Sequence, residues 1–476
     1  MSPKKIAAFA IGPFGAALLS LITLPIITWL FSQEDIGKVA MLQVAISLAI
    51  LLFSLGLDQA YVREFHEENN KSGLLKHSIF PGLIMLMLSL IGLLFINVPI
   101  AGFLFDYTDW LLSFLVYISL LSAFILRFFS LVLRMNEQGF AFSVIQLLPK
   151  LLLLIIIGSG VILGADNSLT NLVAANSAAI FISCLILIVV IRSELTAGIA
   201  TPISWMCLKK MLQFGLPLVL GGIAYWGLTA IDKIFLQKLV SFEELGLYSV
   251  AVSLAGAATI LQSVFSTIWA PTVYKWASAG EGGDSISKVS RYILALVVVL
   301  FCCAGLMSWV VTLFLPSSYN SVQWVLVSCL GAPLLYTLSE TTVVGIGISR
   351  RNSFSMLASI GAFVVNIFGN WLMVPSFGAA GAAVSTCVSF WILFILRTEF
   401  ANYLWRPISR RLLYVYTTIV VLGATIFTLY GTSFPLYMNF FWAILLASVF
   451  IVFRNEIIEL YYFFRNKISL PGGKYR

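Results

Sequence analysis

The chain has 476 residues, 60% of them hydrophobic and 10% charged, with a formal net charge of +8 and a mean hydropathy of +1.01. A water-soluble domain carries roughly 25% charged residues, and burial rises too slowly with chain length for a fold of this size to hide so much apolar surface. The composition therefore excludes a soluble globular protein and predicts an all-α polytopic membrane protein, in which the positive charge marks a side of the bilayer rather than a nucleic-acid partner.

A span needs about 20 apolar residues. The chain offers fourteen such runs, at roughly 6–31, 36–57, 77–98, 110–133, 140–163, 170–191, 211–231, 245–270, 289–315, 321–348, 354–374, 378–398, 411–430 and 434–453. The first is too long for the apolar core of a cleavable signal and no small-residue cleavage site follows it, so it reads as a retained span. It is followed by "SQEDIG", Ser32 to Gly37, which returns as "SFEELG", Ser241 to Gly246. In each, the serine fits an N-cap and the acidic residue three positions on completes a capping box, with the acidic pair at the positive end of the helix dipole.

Span two closes on "GLDQAYVREFHEE", where Asp58, Arg63 and Glu64 form either a solvated helix end or the mouth of a polar cavity. His66 and His77 share the next connector with no cysteine beside them, and the six cysteines lack ligand spacing, so no metal is expected. Arg127 lies two turns before Arg134 and either snorkels to the cytoplasmic surface or lines a cavity. Lys150 follows Pro149 in "QLLPKLLLL", about ten residues into span five, or ~15 Å at helical rise. A lysine near the midplane costs at least ~2.5–3.5 kcal/mol. It therefore calls for a water-filled cavity, an anionic ligand or a buried carboxylate such as Glu340 of "LYTLSETTVVG".

Asp232 and Lys233 close span seven, where a local ion pair is expected and a cavity or coupling role is the alternative. Asn366 and Asn370, one turn apart on span eleven, either bond a neighbouring helix or meet sugar hydroxyls. The small residues of "FGAAGAAVS", Phe377 to Ser385, suit close helix packing. The aromatic, basic stretch "ELYYFFRNK", Glu459 to Lys467, reads as an interfacial helix on the cytoplasmic leaflet.

Basic residues gather on alternate connectors, from Lys4 and Lys5 to Arg410 and Arg411, while Glu34, Asp35, Asp106, Asp109, Asp166, Glu243 and Glu244 occupy the others. This alternation predicts an even number of spans with both termini in the cytoplasm. Six spans separate the two hexapeptides, and a proline precedes each within its span (Pro13, Pro217). Duplication of a six-helix unit explains this, of the parallel kind in which two bundles rock about a central site. The expected organisation is an N-terminal six-helix lobe over 1–195, a C-terminal six-helix lobe over 205–402, two additional helices over 408–453 and a cytoplasmic tail over 454–476.

The end of span two ("GLDQAYVREF"), the stretch from "FGLPLVLGGIAYWGLTAIDKIFLQKLVSFEELGLYSVA" to "WAPTVYKW", and "VPSFGAAGAAVST" together resemble the Wzx-type (O-antigen) polysaccharide flippases of the multidrug/oligosaccharidyl-lipid/polysaccharide exporter superfamily. The resemblance covers nearly the whole chain through diffuse patterns, which specify the superfamily well and the cargo poorly. It implies two pseudo-symmetric six-helix bundles like those of the multidrug and toxin extruders, plus two C-terminal helices. It further implies export of an undecaprenyl-diphosphate-linked oligosaccharide to the periplasmic leaflet of the bacterial inner membrane by alternating access. Membrane lipids, a polysaccharide polymerase and a chain-length regulator would be partners, and no cofactor would be needed beyond a proton or sodium gradient, coupled through Glu340 or Asp58. Lys150 would then meet the diphosphate, with Arg127, Arg63, Asp58, Asn366 and Asn370 lining the path. A cation-coupled drug extruder of the same superfamily is the alternative, disfavoured by a basic rather than acidic midplane residue. An enzyme such as a polymerase or polyprenyl-dependent glycosyltransferase lacks the large periplasmic loop it would require. No phosphate loop, GxSxG or metal motif is present.

Overall fold

The computed structural model describes residues 3–199, 201–278, 283–456 and 458–459. Every regular element among them is helical, because in lipid a spanning segment must satisfy its own backbone hydrogen bonds. The elements in order are α1 (Pro3–Leu30), α2 (Gln33–Phe53), α3 (Leu57–Glu64), α4 (Lys71–Phe95), α5 (Ile100–Phe105), α6 (Trp110–Met135), α7 (Gly139–Ile162), α8 (Leu169–Val190), α9 (Arg192–Ile199), α10 (Trp205–Leu239), α11 (Phe242–Ala255) and α12 (Thr259–Ser278). They continue with α13 (Gly283–Met307), α14 (Val322–Cys329), α15 (Gly331–Ile348), α16 (Ser353–Leu404), α17 (Arg411–Tyr430) and α18 (Pro435–Val452).

Twelve helical segments among the described residues are long and apolar enough to cross a membrane, so the chain is a multi-pass membrane protein. The expected runs 354–374 and 378–398 are the two helical arms of α16, which are separated by a kink at Gly378 and enter that count as one segment. The first run lies in α1, a 28-residue helix whose stretch Phe14–Leu30 is apolar. The expected interfacial helix Glu459 to Lys467 falls, but for Glu459, outside the described residues.

The chain divides into two compact units at Ile260 and Leu261, so that α10 and α11 pack with the helices of the first. The core of that unit gathers around Leu42, Tyr61, Phe65, Phe124 and Phe128. The second unit has its own cluster at Trp269, Val273, Ile286 and Val344. Large apolar side chains are also left outward, Phe95 at 86% exposure and Ile162 at 86%. That arrangement is stable only against hydrocarbon.

Within the first unit both hexapeptides open helices as their residues dictate. Ser32 caps α2 by accepting the Asp35 N–H at 3.1 Å, and Ser241 caps α11 by accepting the Glu244 N–H at 3.3 Å. The two helix starts lie against each other reciprocally. A methyl added at Gly37 would stand 2.1 Å from the Phe242 carbonyl oxygen, and one at Gly246 would stand 2.0 Å from the Gln33 carbonyl oxygen. Gln33 and Phe242 hold the same place in the two hexapeptides, so the repeat meets its own copy about a local two-fold axis, backbone on backbone.

In the second unit the arms of α16 fold back on each other without a connecting loop. Gly378 makes the bend at φ 53°, ψ −129°, a conformation that L residues rarely adopt. Phe354 stacks edge-on with Phe400, ring centroids 5.3 Å apart, and Gly381 lies under the Met373 carbonyl, where a methyl would come within 2.4 Å.

Candidate functional site

Lys150 lines a cavity of about 390 Å³ within the first unit. The lining is otherwise small or hydroxylic: Ala16, Ala17 and Ser20 of α1, Ser253 of α11, Gly256 and Ala257 of the short 3₁₀ turn, and Thr259 of α12. Pro149 inside α7 and the close seam of α1 against α7 deliver the ammonium to this wall. It donates to the Ala16 carbonyl at 3.0 Å and to Ser20 Oγ at 2.5 Å, and Ser20 passes its own proton to the same carbonyl at 2.8 Å. An ammonium has three N–H donors, so one is left for the cavity. Within the first unit, no carboxylate lies within ion-pair distance of Lys150 among the described residues.

Glu340 has partners within its own unit. Glu340, on α15, accepts from Arg397 Nη1 at 3.3 Å and from Ser266 Oγ at 3.4 Å. Arg397 also donates to Ser339 Oγ at 3.0 Å and lies 4.7 Å over the Tyr336 ring. The sequence puts Arg397 on a basic connector, yet it is 7% exposed and faces Glu340 from the second arm of α16. Its signal was its place directly after the apolar run "WILFILR".

Arg127 Nη2 holds Asp58 at 2.8 Å, joining α6 to α3. Glu64 binds Lys210 of α10 at 2.5 Å and Arg63 at 3.7 Å, while the Arg63 guanidinium lies 4.4 Å over Phe214. The Asp58, Arg63 and Glu64 cluster thus ties α3 to α6 and α10 at one end of the unit. His77 uses both ring nitrogens nearby, Nδ1 with the Gly73 carbonyl at 2.6 Å and Nε2 with the Ser204 N–H at 2.6 Å.

Asp232 is buried and takes the hydroxyl of Tyr248 on α11. The expected pair with Lys233 does not form among the described residues, since adjacent positions on a helix point their side chains apart. Asn366 and Asn370 are fully buried. Asn366 donates to Thr386 at 3.2 Å, and Asn370 donates to the Asn366 carbonyl at 2.9 Å. Asn366 thus bridges the two arms of α16, while Asn370 braces Asn366 from within the first arm.

The family described as polysaccharide biosynthesis protein matches residues 3–276. A relative from Haloferax volcanii, named as a probable low-salt glycan biosynthesis flippase, Agl15, is 26% identical over 191 residues. That alignment spans 38% of this chain and 39% of the relative. Among solved structures, the lipid II flippase MurJ in an inward closed conformation matches 94% of this chain and 99% of its own, with TM-score 0.67 and 13% identity. A MATE-family multidrug resistance transporter of the MOP superfamily, inward-facing, matches 85% of this chain and 94% of its own, with TM-score 0.57 and 16% identity. These structural likenesses establish a fold shared with MurJ and the MATE transporters. The chain belongs to the polysaccharide biosynthesis protein family.

Proposed function

We propose that the protein is a flippase that carries an undecaprenyl-diphosphate-linked oligosaccharide from the cytoplasmic to the periplasmic leaflet of a bacterial inner membrane by alternating access. The carrying observation is Lys150: a cation without a carboxylate partner among the described residues of its own unit, on a cavity whose other lining groups are small or hydroxylic. A diphosphate supplies the missing negative charge through charge-assisted hydrogen bonds. A cationic drug would meet Lys150 with like charge, which weighs against the multidrug-extruder reading despite the shared fold. Coupling to a proton or sodium gradient would run through Asp58 or Glu340, each held by an arginine at 2.8 Å and 3.3 Å. The alternation of basic connectors supports cytoplasmic termini. A polymerase and a chain-length regulator would act on the exported unit.

The test uses a strain lacking the protein and one carrying Lys150→Ala. Both should accumulate a complete, unpolymerised lipid-linked repeat unit on the cytoplasmic side, cleared only by the wild type. A normal lipid pool together with lost drug efflux would overturn the reading in favour of the extruder.

A further inference from the structure

One helical turn from Lys150, α7 carries a polar side chain that the sequence reading passes over. Gln146 is exposed within the spanning segment Gly139–Ile162, and its carboxamide has no hydrogen-bond partner among the described residues. The amide lies over Gly12 of α1: a methyl there would come 2.7 Å from Gln146 Oε1. A turn further toward Gly139, Ser143 is buried and its Oγ accepts the Gly12 N–H at 3.0 Å. Ser143, Gln146 and Lys150 form a line along α7 facing α1. The outer two are bonded to α1, and the middle one is not. An exposed amide with no partner inside the chain keeps both its donor and its acceptor for a polar group from outside it.

We propose that Gln146 is a specificity-determining residue that contacts the sugar joined directly to the diphosphate, a proposal that rests on the reading of Lys150 as the diphosphate contact. Four residues along a helix is about 6 Å, the scale of the step from a phosphate to the hydroxyls of the pyranose it carries. A carboxamide both donates and accepts, which suits a vicinal hydroxyl pair or an acetamido group and not a second phosphate. The lysine takes the charge common to every such lipid, and the glutamine reads what is attached to it.

The experiment measures binding to the purified full-length protein of three probes: undecaprenyl diphosphate, the same lipid carrying one N-acetylhexosamine, and the same lipid carrying one hexose. The wild type should hold one sugar-bearing lipid roughly 3- to 10-fold more tightly than the bare lipid, the worth of one or two neutral hydrogen bonds. Gln146→Ala should erase that preference while leaving bare-lipid affinity unchanged. Gly12→Ala, which pushes the amide aside and keeps the glutamine, should move the preference the same way even if Gln146→Ala fails to fold. A preference that survives in the folded variants, a wild type that does not distinguish the probes, or an equal loss for all three lipids overturns the proposal. Retention of bare-lipid binding by Lys150→Ala would instead overturn the underlying assignment of the diphosphate site, as would a wild type that binds none of the three.

Discussion

Adding one methyl at Gly37 should force α2 and α11 apart. The new Cβ would stand 2.1 Å from the Phe242 carbonyl oxygen, against ordinary contact from 3.4 Å, a shortfall of 3.4 − 2.1 = 1.3 Å. The obstacle is backbone at a helix start, which cannot rotate away as a side chain would. Overpacking of a tight interface costs about 1–3 kcal/mol, and Gly37→Ala should fall in the upper half of that range. Gly246→Ala should cost the same, because its methyl meets the Gln33 carbonyl at 2.0 Å. Both methyls push the same two helices in the same direction. The double variant should therefore cost clearly less than the sum, with a coupling on the order of 1 kcal/mol or more. Gly92→Ala is the control, since a Cβ there meets nothing within 4 Å. The four variants would be compared by reversible denaturant unfolding in one detergent, followed by intrinsic fluorescence. Single variants as stable as Gly92→Ala, or strictly additive costs, would refute the reciprocal contact.

Glu340→Gln should destabilise the second unit by about 3–5 kcal/mol, because it strands the buried Arg397 charge, and adding Arg397→Gln should recover part of the loss in the same assay. Gly378→Ala should cost about 1–3 kcal/mol or abolish accumulation of folded protein, since an L residue is strained at φ 53°; size-exclusion profiles of detergent extracts would detect it. Glu459, just past α18, has its carboxyl held below the ordinary range first by the Lys288 ammonium and then by the Tyr292 hydroxyl, with the Lys288 contact at 2.6 Å. A depressed carboxylate contributes stability above its unfolded-state pKa and loses it as pH falls through the folded one. The contact between Glu459 and α13 should therefore hold at neutral pH and release only below the ordinary carboxylate range, and hydrogen exchange across 453–456 that already quickens between neutral pH and that range would contradict it.

The helices were legible because lipid demands long apolar runs, and their starts because serine at an N-cap satisfies a backbone donor locally. What was hidden depended on which helices touch. The hexapeptides read as two capped starts, yet the identical glycine in sixth place, Gly37 and Gly246, carried the contact that the repeat makes with itself. Lys150 was visible by its cost in the membrane. Its partners were not, since a hydroxyl and a main-chain carbonyl of α1 leave no pattern in sequence. Arg397 was assigned to a connector because the bend at Gly378 and the true length of α16 set its depth, and neither follows from composition. Gln146 carries no charge and so raised no alarm, although its offset of four from Lys150 placed it on the same face.

The bend at Gly378 also bears on how the protein is made. Two apolar arms joined by a single glycine leave no polar stretch at which synthesis could halt one arm outside the membrane while the other enters. Asn366, alone in the bilayer, would keep only the bond that Asn370 of its own arm gives its amide oxygen, leaving its amide N–H groups without their partner on the second arm. With its twin arm present it donates to Thr386 at 3.2 Å, and its carbonyl receives Ser385 at 3.1 Å. The arms of α16 are therefore suited to enter lipid together as one hairpin, with the Asn366–Thr386 bond made between them.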